Sequence, residues 1–244
     1  MSMNLYGMLD SEKAMAGLLY GMNPKTIVSI VAKEIINYGK GVFLNGAKNA
    51  LLNGKHNNKA IIDLSAYTTA SKDIAIDING VDVTVTTSGT IATDVASLVS
   101  DIADDVEGVT AVAGTGANAG KIFLTSDDDS ELVVKVVYDG GDVTSSKATL
   151  SSDAVFAGVS VFHQNAFLTS RGCYIPTEAV NVMEKGYIWV ELDAEVNPSV
   201  EDNAYVTKAG TFTTESSGNT LVGKFKSVKE NGTGSEKLAL VSLD

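Results

Sequence analysis

The chain is poor in the residues that staple or kink a fold. With one cysteine, Cys173, in 244 residues, an internal disulfide is excluded, and stability must come from packing or from association with other chains. Cys173 reads as a free buried thiol. A nucleophilic role would need a base beside it, only His56 and His163 could serve, and nothing in their spacing proposes it. Three prolines against 23 glycines, with 7% aromatics, favour many short strands and turns over helical bundles. A single arginine, Arg171, in a chain of net charge −12 argues against nucleic acid as a partner, because phosphate binding needs clustered Lys and Arg. No apolar run approaches the roughly 18 residues of a membrane span. The stretch Ala14–Met22 is too short and too Gly-broken for a signal-peptide core. These absences predict a protein made in the cytoplasm with no membrane partner.

What is present is unevenly distributed. Between Thr68 and Ser152 stand 14 Asp and Glu against 4 Lys, a net of −10, while the rest of the chain carries 16 acidic and 14 basic residues. The sequence therefore reads as one β-rich domain formed by residues 1–67 and 153–244, interrupted by an acidic insertion at 68–152.

The insertion announces itself by a change of period. Ile74, Ile76 and Ile78 alternate with small or polar residues, Asn79-Gly80 follows, and Val81, Val83 and Val85 alternate in turn. Asn-Gly between two alternating runs predicts a hairpin, since both turn residues must adopt positive φ. Its register pairs Ile78 with Val81, Ile76 with Val83 and Ile74 with Val85. A helix is predicted next, capped by Ser88 or Thr90, with Ile91, Val95, Leu98, Val99, Ile102 and Val106 on one face. Asp94, Ser97, Asp101, Asp104 and Asp105 fall on the solvated face. Val109–Ala113, Lys121–Thr125 and Leu132–Tyr138 read as strands. This is a small α+β domain, ββα followed by strands.

The outer domain reads as mainly β, a sandwich or barrel. Its candidate strands are Phe156–Phe162, Tyr187–Leu192, Ala204–Thr207, Thr211–Thr213, Lys224–Val228 and Lys237–Leu243, with 229–236 as a hairpin loop. Residues 1–22 suit an extended arm. Ile27–Ile36 fits either a strand or a helix, and Ile27, Val28, Ile30 and Val31 would suit a strand buried on both faces.

No residue pattern asks for catalysis, a metal or a cofactor. GTGANA at 114–119 matches a nucleotide-binding pattern, yet it leads into the strand-like KIFLTS rather than a helix whose amides could hold a pyrophosphate. The near P-loop that ends at Gly120-Lys121 fails in spacing and has Ile122 where a hydroxyl would bind magnesium. Asp127, Asp128, Asp129 and Glu131 lack the alternation of a calcium loop and suit a solvated turn. Tyr187 and Trp189 alternate in one strand, as core or edge residues or as interface anchors.

The flanks are similar to the cement, or decoration, proteins of tailed-bacteriophage heads. The resemblance rests on Phe156–Val161 (FAGVSV), Ile175-Pro176, YIWVEL at 187–192, Asn203–Thr207, GTFTT at 210–214 and the closing KLALVSLD. At the N-terminal side it rests on Ala16–Leu18, Pro24–Ser29 and Tyr38–Val42. The insertion's INGV hairpin, TIATDVASLVSDI helix and KIFLTSDD strand resemble small domains of phage tail and flagellar proteins. The resemblance implies a structural, non-enzymatic virion protein on the outer surface of an expanded capsid, stabilising contacts between major capsid subunits. Its partners would be the major capsid protein and further copies of itself, as a dimer or trimer. Leu18, Tyr20, Met22, Tyr187 and Trp189 are the candidate contact residues for the capsid or oligomer. The alternative is a head fibre or adhesin-like surface protein that binds host ligands.

Overall fold

A computed structural model describes residues 15–20, 25–65, 71–138, 148–162, 172–231 and 237–244. The chain begins with β1 (Thr26–Val31), β2 (Ile36–Asn37), β3 (Gly41–Leu44) and β4 (Leu51–Leu52). It continues through β5 (Lys59–Asp63), β6 (Asp73–Ile78), β7 (Val81–Thr86), the helix α1 (Ile91–Asp105), β8 (Val109–Ala113), β9 (Lys121–Ser126), β10 (Val134–Tyr138) and β11 (Ala148–Ser151). It closes with β12 (Val155–Ser160), β13 (Cys173–Tyr174), β14 (Ala179–Glu191), β15 (Asn203–Val206), β16 (Phe212–Thr213), β17 (Thr220–Phe225), β18 (Glu230–Asn231) and β19 (Lys237–Leu243). Two compact units result, one of residues 1–55 with 154–244 and one of residues 56–153. The protein is mainly β, with α1 as its one α-helix among the described residues.

The first unit is built on a ten-stranded sheet whose main path runs β16-β15-β17-β19-β14-β12-β3-β4. It curls until its ends meet, where the Gly41 amide donates to the Gly210 carbonyl at 2.8 Å. The seam demands glycine. Gly210 has φ +76, and a β-carbon there would stand 2.5 Å from the Gly41 carbonyl oxygen. Side chains from both ends of the path, Phe43, Val206 and Phe212, join Ile188, Val190, Phe225 and Val241 in the enclosed core. A smaller core of Ile36, Val42, Leu51, Tyr174, Val180 and Val182 fills a second layer, under the two-stranded β2–β13 pair. There the Tyr174 hydroxyl donates to the Val161 carbonyl at 2.7 Å. Its burial pushes its pKa up to about 12, because charging a phenol away from water is unfavourable.

In the second unit the hairpin has the register its alternation predicts: Ile78 with Val81, Ile76 with Val83 and Ile74 with Val85. Asn79 and Gly80 take φ of 54° and 87°. The Asn79 side chain further accepts from the Val133 amide at 2.8 Å, which ties the turn to the approach of β10. The sheets β10-β6-β7 and β11-β5-β9-β8 share one core with Val95, Leu98, Ile102 and Val106 of the helix region. Burying a Leu or Ile side chain as fully as Leu98 and Ile102 contributes about 1.5–3 kcal/mol each.

Several expectations need correction. Asp94 is not on the solvated face but only 3% exposed. Its Oδ1 accepts from the Ser88 amide and hydroxyl at 2.8 and 2.7 Å, so it anchors the turn before the helix, while the N-cap Thr90 makes no side-chain cap. Ile27–Ile36 is neither one strand nor a helix. β1 stops at Val31, and it buries only one face, with Ile27 39% and Val31 48% exposed. β10 begins at Val134 rather than Leu132 because Leu132 donates its amide to Asn57 in the approach to β5. Cys173 is half-buried, not buried. Lys59–Asp63, read with the flank, pairs with β9 and β11 and belongs to the second unit. Of the 229–236 loop, Glu230 and Asn231 pair with Leu238 and Lys237; 232–236, like His163, lie outside the described residues.

A polar clasp joins the incoming and outgoing chain of the second unit. Asn58 Nδ2 donates to Asp153 at 2.7 Å, and Lys59 Nζ pairs with the same carboxylate at 2.7 Å. The Lys59 and Asn58 side chains hold the Asp153 pKa below the usual 3.8. A depressed carboxylate contributes stability that is present above its unfolded pKa and is lost as pH falls through the folded one. The melting temperature of the second unit should therefore drop as pH is lowered below 3.8, and Asp153→Asn should flatten that drop. A mutant profile parallel to wild type would refute the assignment.

The two units should also respond separately to backbone strain. Gly80→Val places a branched residue at positive φ and should cost the second unit about 1 kcal/mol or more. Gly210→Ala, which adds a clash to positive φ, should cost the first unit about 2 kcal/mol or more. Calorimetry should show each variant lowering one transition only.

Candidate interaction surface

β14 positions the candidate contact residues. Alternation along it is broken by one extra residue: Ile27 pairs with Met183 but Thr26 with Lys185, so Glu184 is bulged. Before the bulge Val180 and Val182 point into the smaller core; after it Ile188 and Val190 point into the enclosed core. A single added residue reverses which face each later side chain occupies. Tyr187 and Trp189 are thereby turned to the outer face, each half-buried.

The segment 15–20 lies along the same strand. Leu19 bridges Ile188 in antiparallel sense, the Trp189 amide donates to the Leu18 carbonyl and the Tyr20 amide to the Tyr187 carbonyl, both at 3.0 Å. Leu19 packs on the enclosed core, so by strand alternation Leu18 and Tyr20 share the outer face with Tyr187 and Trp189. Tyr20 is 55% exposed. Four of the five residues singled out from the sequence thus stand on one face of β14 and the segment beside it; the fifth, Met22, lies outside the described residues.

The docked segment is fixed at its start by close backbone packing. Gly17 donates to the Trp189 carbonyl and accepts from the Phe162 amide, both at 2.8 Å. A β-carbon on Gly17 would fall 2.9 Å from the Gly39 nitrogen. Ser160, fully buried, donates its hydroxyl to the Asn37 carbonyl at 2.6 Å, and its carbonyl accepts from Gly39. Lys40 pairs with Glu191 at 3.0 Å beside this crossing. Sequence reasoning missed these groups, because a serine and glycines in short strands carry no periodic signal.

The other sequence motifs are placed as turns. Gly116–Asn118 forms one 3₁₀ turn leading into β9, without the helix start that a nucleotide would need. In the acidic turn Asp127 accepts from Thr110 at 2.6 Å, Asp128 from Ser126 at 2.8 Å, Asp129 from Asn58 at 2.9 Å and Glu131 from the Asn57 amide at 2.6 Å. Among the described residues no three His, Cys, Asp or Glu side chains are grouped to hold a metal ion. Nor is any described helix long and apolar enough to cross a membrane.

Residues 110–244 match the profile of a family described as structural cement protein (E217 gp24/Pam3 gp6), more than half of the chain. A solved structure titled "The capsid of Myoviridae Phage XM1" aligns over 99% of this chain and 97% of its own, at 11% identity and a TM-score of 0.44. The comparison with curated proteins found no match.

The packing of Leu19 makes a testable demand. Leu19→Ala should release the 15–20 segment from β14, so hydrogen exchange at the Trp189 amide should accelerate by at least about tenfold while that at Val241 is unchanged. Equal protection at Trp189 in both proteins would show that Leu19 does not hold the segment.

Proposed function

The chain belongs to the structural cement protein family, and from that premise we propose that its first unit binds the outer surface of an expanded phage capsid and stabilises contacts between major capsid subunits. The observation that carries this reading is the family match, which spans Tyr187 and Trp189. The face they share with Leu18 and Tyr20 is the contact surface in this reading, because aromatic residues half-buried on a rigid strand supply large contact area at little entropic cost. A ligand that binds only the expanded lattice stabilises that state by its differential affinity. Many copies turn a modest contact into a large total. Residues 56–153 hold 16 acidic residues against 5 Lys, while the first unit is nearly neutral, at a net of −1. The acidic unit carries no capsid contact in this reading. On the capsid the chain meets further copies of itself, as a dimer or trimer.

The test mixes purified variants with expanded shells lacking the protein and measures retention after sedimentation. Trp189→Ala and Tyr20→Ala should each weaken retention about tenfold or more, mainly through faster dissociation. Asp101→Lys with Asp105→Lys, on the helix of the acidic unit, should leave it nearly unchanged. Strong loss from the charge reversal with the aromatic variants neutral would overturn the assignment of the two units.

A further inference from the structure

β17, β19, β14 and the docked segment lie side by side in register. Phe225 pairs with Val241, Val241 with Ile188, and Ile188 bridges Leu19; all four pack on the enclosed core. Side chains alternate along each stretch, so the residues on either side of that line face outward. Lys224, Ser242, Tyr187 and Tyr20 form one outward row, and Lys226, Leu240, Trp189 and Leu18 the other. These positions hold two lysines and no carboxylate, in a chain with 30 Asp and Glu. The aromatic face proposed above as the capsid contact thus continues, through Ser242 and Leu240, into a pair of cations.

One carboxylate reaches these lysines from outside the rows. Glu201 Oε1 lies 2.6 Å from Lys226 Nζ and Oε2 lies 3.6 Å from Lys224 Nζ, so a single side chain spans both. The hydrogen bond from Lys226 holds the Glu201 carboxyl below its usual range. The group is open to solvent, with the Glu201 and Lys224 side chains 56% and 47% exposed, and an exposed ion pair adds little stability. Yet the backbone is strained to present it. The Asp202 amide donates to the Ser199 carbonyl at 3.2 Å, which makes Glu201 the third residue of a turn, and its φ is +74. That conformation at that position favours Gly or Asn. The Glu201 amide donates to the Phe225 carbonyl and the Phe225 amide to the Asp202 carbonyl, so the strained turn is fixed beside β17. Strain kept for an interaction of little stabilising value points to function.

We propose that the capsid surface facing Tyr187 and Trp189 carries a carboxylate that pairs with Lys224 and Lys226, displacing Glu201, which lies across them in the free protein. The partner chemistry follows from the rows: an apolar patch opposite the aromatics with an acidic group beside it. Until docking, Glu201 holds two like charges together and competes for them. A competitor weakens binding of every acidic partner, and one that also covers the aromatics gains enough contact to displace it. The inference rests on the reading of the Trp189 face as the capsid contact and adds the charge that accompanies it.

Full-length variants, checked for folding by circular dichroism, are titrated onto expanded shells lacking the protein, with retention measured by sedimentation. Lys224→Gln combined with Lys226→Gln should weaken binding about tenfold, whereas Glu201→Gln should tighten it about threefold by removing the competitor. Rising salt should weaken wild type more steeply than the double lysine variant, because the paired charges are screened. Binding by Glu201→Gln no tighter than wild type would overturn the proposal. So would equal binding by wild type and the lysine variants: with Trp189→Ala weakened, the aromatic face stands as the capsid contact and only the carboxylate is struck, and with Trp189→Ala neutral as well, the face itself is misassigned. If the lysine variants instead lower self-association in sedimentation equilibrium without shells and leave retention unchanged, the carboxylate belongs to a second copy and the capsid assignment falls.

Discussion

The bulge at Glu184 is the constraint on which the first unit depends. β14 runs for 13 residues and offers hydrogen bonds to β1, β12, β19 and the segment at 17–20. Without the added residue, the alternation that sends Val180 and Val182 into the smaller core would send Ile188 and Val190 away from the enclosed one. With it, one continuous strand serves two cores, and the aromatic pair Tyr187 and Trp189 is placed outside. Gly186, at φ +123 and buried, follows directly. The chain thus gains a corner in the sheet through backbone geometry rather than through a loop, and curvature of this kind lets an open sheet close on itself.

Closure then depends on backbone meeting backbone. Where Gly17, Gly39 and Ser160 cross, and where Gly41 meets Gly210, main-chain groups come too close for any side chain. These crossings join residues far apart in sequence: Gly41 to Gly210, Gly17 to Trp189, Asn37 to Ser160. The N-terminal portion is therefore an integral part of the sheet, and the docked segment carries Leu18 and Tyr20 to Tyr187 and Trp189. The candidate surface is a product of that closure, since no stretch of sequence holds its four residues together.

This explains what the sequence could reveal. The Asn79-Gly80 hairpin was legible to the individual residue pair because its determinants are local: alternation on either side and a turn that requires positive φ. The helix was legible from its period, but period alone misplaced Asp94. An angular projection records where a side chain points and not whether a neighbouring Ser88 supplies donors that make burial tolerable. Lys59–Asp63 and Ala148–Ser151 were not assigned as strands of the acidic unit, because their partners are distant and strands of five and four residues have little period of their own. β14 was read only from Tyr187 onward, since the bulge interrupts the alternation that marks a strand. Tyr187 and Trp189 were visible as aromatics at period two. Their neighbours Leu18 and Tyr20 were suggested by the family resemblance, while the pairing that unites them is a long-range event.

The charge asymmetry follows a similar logic at the scale of the units. A net of −11 on residues 56–153 is compatible with a stable core because the carboxylates are deployed as turn and cap acceptors. Asp77 receives the Gly80 amide, Asp128 the Ser130 amide and Asp94 the Ser88 amide. Each such bond gives a negative group a backbone donor that would otherwise go unmet at a turn. The acidic character is therefore partly structural, bought locally turn by turn, while Asp101, Asp104 and Asp105 of α1 have no such duty among the described helix carboxylates. Self-repulsion from a charge of this size falls off within about 8 Å at physiological salt. It discourages close approach between acidic units of neighbouring copies while leaving the nearly neutral first unit able to pack at close range. Under the proposed function, copies held on a capsid by contacts of the first unit would gain from a second unit that keeps them from associating anywhere else.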